Sequence, residues 1–183
     1  MSKWVPLAVV FGVALLPRLA LAQTSQPYAG FEARTIKSLS AEQIADLKAG
    51  RGMGLALAAE LNGYPGPAHV LELAAQLGLT NGQKAEVQQQ FNSMHSQAVA
   101  LGDKLIAAEA ELDRLFAERL VSEASLADEV RKVAVLQGEL RTTHLNYHLA
   151  MARILTPDQM ARYAELRGYA AHPNMPGMHQ HQH

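Results

Sequence analysis

From Val87 onward the apolar residues fall at Val87, Phe91, Met94, Ala98, Leu101, Leu105, Ala108, Leu112 and Leu115, with mostly polar residues between them. The steps alternate four and three without a break, the seam of a helix that packs along its length against another helix. A helix from Thr80 to about Leu120 would be roughly 60 Å long, and it cannot bury such a stripe alone. The same stepping resumes after Val121 and Ser122, through Leu126, Val130, Val133, Gln137, Leu140, His144, Tyr147, Met151 and Ile154. Two matching seams joined by a short turn predict a long antiparallel helical hairpin. With the turn centred near Ser122, residues whose numbers sum to about 244 should face each other. No segment alternates with a period of two over a useful length, so the fold is predicted to be all-α, with shorter helices flanking the hairpin.

The helix starts are marked by a repeated pentad, Leu-Ser/Thr-x-x-Gln: Leu39–Gln43, Leu79–Gln83 and Leu155–Gln159. The hydroxyl can accept from the backbone N–H three residues on, and the Gln can reach back to the cap residue. Leu39 with Ile44, and Leu155 with Met160, are placed for a hydrophobic staple, and Pro157 sits at a first helical position where its missing N–H costs nothing. The middle copy is weaker, with Lys84 at the staple position and Gly82 in the first turn. Capping alone accounts for all three copies. Ser40 to about Asn62 reads as a helix, but Gly50, Gly52 and Gly54 predict a kink, a close helix contact or a break within it. Asn62–Pro67 is a loop, His69–Leu77 a short helix ended by Gly78, and Pro157 to about Arg167 a last helix stopped by Gly168.

Lys3, an apolar run from Val5 to Leu16, and Ala20-Leu21-Ala22 have the layout of a secretory signal peptide cleaved after Ala22. The run is short of the roughly 20 apolar residues that span a bilayer, and the alternative is an uncleaved N-terminal membrane anchor. The chain has no cysteine, so neither disulfides nor thiolate metal sites are available. Removing Lys3 and Arg18 from the 16 basic residues leaves 14 against 17 acidic ones, a formal charge of −3. That balance gives no electrostatic reason to expect nucleic acid as a partner. The expected organisation is a signal peptide over 1–22, an extended segment over 23–38, one helical domain over 39–170, and a His/Met-rich tail over 171–183.

Two pentads, Leu79-Thr80-x-x-Gln83 and Leu155-Thr156-x-x-Gln159, bracket the predicted hairpin, and Ala161-Arg162-Tyr163 follows the second. In this the chain resembles the Spy/CpxP family of periplasmic proteins, named for its LTxxQ motif and including metal-responsive relatives such as ZraP and CnrX. The resemblance extends over roughly Tyr64 to Tyr169. It implies a small, helical, non-enzymatic envelope-stress protein, often a curved homodimer. Some members hold unfolded envelope proteins without ATP; others bind transition metals and report to a membrane-bound partner. The segment Ala29–Asn62, with its additional pentad, lies outside the family's short pattern.

Two sets of residues could carry metal chemistry. His144 and His148 lie four apart on one helix, so their rings can face one site. The expected register brings His95 near His148 and Met94 near Met151. A set of His95, His144, His148 and Met151 would suit copper, or its histidines alone zinc or nickel. The competing reading makes His144 a packed seam residue, His148 a surface one, and Met94 and Met151 apolar filler. The second set is the tail, where His172, His179, His181 and His183 with Met175 and Met178 read as a metal-binding tract for Cu, Ni or Zn. No nucleophile elbow, phosphate loop or His-Glu-x-x-His run is present, and no cofactor is obligatory on this reading. The expected function is therefore ATP-independent holding of unfolded clients, with transition-metal binding through the tail. The alternative is a periplasmic heavy-metal sensor signalling to a membrane partner.

Overall fold

A computed structural model describes residues 26–169. They form α1 (Ala41–Lys48), α2 (Leu57–Glu60), α3 (Pro67–Glu72), α4 (Asn81–Ala117), α5 (Glu123–Ile154) and α6 (Pro157–Leu166), preceded by a single 3-10 turn at Phe31–Ala33. Among the described residues there is no strand, only an isolated bridge between Ile36 and Leu39, so the all-α expectation holds. The signal-peptide and tail assignments lie outside the described residues. No described helix is long and apolar enough to cross a membrane.

The architecture is built on α4 and α5, of 37 and 32 residues, which share the most extensive helix contact in the molecule. Gln97 donates to the Tyr147 hydroxyl at 2.7 Å across the pair. On α4 the buried stripe runs through Val87, Met94, Ala98, Leu105, Ala108 and Leu115, as the spacing predicts. On α5 it departs from the predicted seam. Leu136 is buried and Gln137 is exposed, because the stripe can shift by one residue to keep the amide in water. Leu126 and Val130 are also exposed, so the seam is not closed near the turn.

All three pentads form complete capping boxes, and Ser122 forms a fourth with Ser125. Two of the pentads do more than cap. The Gln83 amide donates to Gln159 Oε1 at 2.8 Å and to the Ile154 carbonyl at 3.0 Å, and Gln159 donates back to Gln83 Oε1 at 3.1 Å. Each Oε1 also accepts its own cap N–H, from Thr80 or Thr156. These two glutamines thus fasten the starts of α4 and α6 to the end of α5, whereas Gln43 only caps α1.

The helix read from Ser40 to Asn62 is broken. α1 stops at Lys48, and Gly50, Met53 and Gly54 take positive φ values of 61°, 43° and 78° before α2 begins. The break is imposed by how closely α1 approaches α4. A Cβ on Gly102 would lie 2.4 Å from the Leu47 carbonyl oxygen, so only glycine lets the end of α1 rest there. The following loop then lies along α4, where a Cβ on Gly50 would meet Val99 at 3.1 Å and the His95 carbonyl at 3.2 Å.

Two apolar cores result. In one, Ile36, Leu39 and Leu47 cover Ala98, Leu105 and Ala108 of α4 and Val133, Leu136 and Leu140 of α5. Ser38, bonded to the buried Glu109 at 2.7 Å, and Lys37, paired with Asp113, anchor this cover. In the other, Val70, Leu77, Leu79 and Tyr163 close over Val87, Ala150, Met151 and Leu155. Gly102→Ala should cost about 1–3 kcal/mol, because backbone must move to admit the methyl. Gly138→Ala, with open space around it, should stabilise by about 0.5–1 kcal/mol. Urea unfolding of the two variants checks this, and equal effects would remove the close-contact argument.

Candidate functional site

Between the two cores, α4 contributes Phe91, Met94 and His95 and α5 contributes His144 and His148 to a pocket of about 420 Å³. The glycine-rich loop from Ala49 to Gly54, Glu60 of α2 and the start of α3 form its other walls. The loop reaches this position because α1 ends on Gly102. Its conformation is strained at one residue. Met53 holds φ at 43°, a region costing a non-glycine residue roughly 1–2 kcal/mol.

Glu60 is 6% exposed and is the polar hub of the site. Oε1 accepts from the Tyr163 hydroxyl in a short bond, and Oε2 accepts from the Gly66 N–H at 3.1 Å. His69 Nδ1, His148 Nδ1 and Arg167 Nε stand 3.4, 3.6 and 3.7 Å from the carboxylate. Burial, and then the Glu60 carboxylate taking its hydrogen bond, raise the Tyr163 hydroxyl well above an ordinary phenol, so it stays protonated. Residues distant in the chain are thereby joined: the hub ties α2 and the Tyr64–Pro67 loop to α6. Glu60 lies in an otherwise apolar stretch, Leu57–Leu61, and that interruption is the only sign of it in the sequence.

The two histidines of α5 behave differently. His148 Nδ1 is 2.7 Å from the Tyr64 carbonyl, which can only accept, so Nδ1 carries a proton. Its ring lies against Gly66, where a Cβ would be 3.0 Å from Cε1 and 3.2 Å from Nε2. His144 is 3% exposed, and its sealed Nε2 has no partner among the described residues. Such an unmet buried nitrogen costs about 1–3 kcal/mol. Burial first, and then the neighbouring His148, lower its pKa, so the imidazole is neutral near pH 7.

The metal set expected from sequence is therefore only partly brought together. His144, His148 and His95 line the same pocket, His95 from an exposed position beside Phe91 at a ring separation of 6.0 Å. Met151 is fully buried in the core with Val70 and Tyr163 and takes no part, because α5 turns it towards α3 and α6. Met94 lines the pocket instead. Among the described residues, no three His, Asp or Glu side chains are grouped to hold a metal. His172, His179, His181 and His183 lie outside the described residues. The sequence reading also missed Met53, Glu60, His69 and Tyr163. Comparison with family models, with curated proteins and with solved structures gives no match in any of the three.

Because the folded chain takes up the His144 proton less readily than the unfolded chain, whose imidazole titrates near 6.5, the sign of the pH effect is set. The contribution is complete above that value and is lost as pH falls through the lower folded pKa. Urea midpoints measured between pH 8 and pH 5 should decline less steeply in His144→Gln than in the parent; parallel declines would refute the assignment. Tyr163→Phe should cost about 1–3 kcal/mol at pH 7 by leaving Glu60 short of a donor, measured in the same assay.

Proposed function

We propose that this chain is a non-enzymatic envelope-stress protein of the Spy/CpxP type that holds unfolded clients without ATP after export to the periplasm by a cleaved signal peptide. The observation that carries the reading is the apolar surface that the described residues leave uncovered at the turn end of the long helix pair. Phe116, Leu120, Leu126 and Val130 are 54%, 59%, 37% and 48% exposed there. The cover that begins at Ile36 is anchored level with Glu109 and Asp113 and leaves this end bare. Arg114, Glu118, Glu123 and Asp128 are exposed in the same stretches of chain and carry both signs of charge. An apolar surface with a charged rim favours weak, reversible contacts with exposed apolar segments and discourages self-aggregation. The glutamine clasp between two pentads also supports the family reading, since it gives the pentad a role that capping alone would not require.

On this proposal a second copy covers part of the patch when no client is bound, giving a homodimer. The His-rich tail supplies accessory binding of Zn, Cu or Ni by its composition. The alternative, a heavy-metal sensor speaking to a membrane partner, would gain from a grouped set of three imidazoles or carboxylates in the folded part. No such group is assembled among the described residues.

The protein should suppress aggregation of a chemically denatured test protein at near-equal molar amounts without ATP, followed by light scattering. Leu126→Ser combined with Val130→Ser should weaken that suppression several-fold while leaving helical circular dichroism unchanged, because both side chains are already solvated. Failure of the parent protein to suppress aggregation at any ratio would end the holding proposal.

A further inference from the structure

We propose that the pocket between the Gly50–Gly54 loop and the helix pair binds a small, uncharged aromatic molecule of one or two fused rings. The inference stands apart from the holding of clients, from metal and from the tail.

Three observations converge on it. The first is space that the fold leaves open without a structural need. The cavity measures about 420 Å³, within the roughly 300–1,000 Å³ of small-molecule sites. Gly50 and Gly54 in its wall take positive φ, so the backbone there favours glycine. Gly52 differs. Its φ lies outside that region, and a Cβ there would rest 3.8 Å from His144 Nδ1, an ordinary contact. Neither strain nor clash excludes a side chain at 52, and what glycine keeps there is room beside the imidazole.

The second observation is the chemistry of the walls. Phe91, His69, His95, His144 and His148 contribute rings, and Met94 a thioether. Phe91 and His95 already lie ring to ring, with centroids 6.0 Å apart and planes tilted by 31°. Met94, 7% exposed, lines this space and belongs to neither apolar core. Rings and polarizable sulfur favour an aromatic guest, through offset or edge contacts and through sulfur–ring contacts, beyond the apolar area removed from water.

The third is charge. Arg51 and Glu60 are the only guanidinium and carboxylate among the lining residues, and both are engaged, Arg51 with Asp46 and Glu60 with Tyr163 and the Gly66 N–H. His69 and His148 turn Nδ1 towards Glu60 and the Tyr64 carbonyl, and burial keeps His144 neutral near pH 7. Neither charge is left over for an ionic guest, which would lose its hydration without return.

The test uses the full chain with methionine methyl groups labelled with carbon-13. Met94→Leu, Met151→Leu and Met160→Leu assign the signals and change volume little. The probe is indole, with cyclohexanol as an uncharged aliphatic control and benzoate as an anionic aromatic one. Indole should shift the Met94 methyl in a saturable way, leave Met151 and Met160 unmoved, and bind several-fold more tightly than either control. Gly52→Leu, which puts a side chain into the space for the guest, should weaken that binding roughly tenfold or more. Phe91→Leu, which keeps an apolar side chain but removes the ring, should abolish the preference over cyclohexanol. Absence of a saturable Met94 shift, or indole binding undiminished in both variants, would overturn the proposal. So would binding of cyclohexanol or benzoate as tight as that of indole, since the site would then select neither for a ring nor against charge. Displacement of bound indole by a denatured test protein would overturn it in favour of a seat for client side chains.

Discussion

A 37-residue helix carrying one apolar stripe has no stable existence in water until that stripe is covered, and in this chain α5 covers much of it. The coverage is incomplete in two places, and both matter. Midway along the pair, the segment from Ile36 to Leu55 must add its own apolar side chains to close the core. Near the turn none of the described residues closes it, and Phe116, Leu120, Leu126 and Val130 remain exposed. The way α4 and α5 share their stripes therefore decides where the short elements dock and where surface is left free.

The short elements follow from that frame. α1 can settle on α4 only where Gly102 removes a side chain, and the chain beyond it must then turn sharply through three positive-φ residues. α3 and α6 close the opposite end, drawn there by Val70, Leu79 and Tyr163 and held by the paired amides of Gln83 and Gln159. The interval between the two cores is too polar to become a third. It contains a carboxylate saturated with donors, one imidazole committed to a backbone carbonyl and one whose Nε2 has no partner among the described residues. A hub of this kind confers specificity of docking more than net stability, since each buried polar group repays its desolvation only when fully partnered.

Helix positions were legible because they depend on local chemistry. Each pentad begins a helix where the hydroxyl-to-amide spacing says it should, and the four-three stepping of α4 matches its buried stripe. The glycines at 50, 52 and 54 marked a disturbance without saying which kind. That choice depended on Gly102, fifty residues away, and on a carbonyl that no local pattern reports. Met151 and Met94 illustrate the same limit. Both occupy seam positions, yet one is core and the other lines a pocket, because α3 and α6 pack over only one end of the pair.

By itself the sequence determined the all-helical class, the two long elements and the capped starts, since periodicity and caps act within a few residues of the backbone they organise. Tertiary structure alone decided that Glu60 meets Tyr163 across 103 residues, that Gln83 and Gln159 serve as a clasp as well as caps, and that His144 Nε2 is left without a partner among the described residues. Those outcomes depend on which surfaces are brought together, and the pairing of surfaces is set by long-range packing that no short stretch of chain encodes.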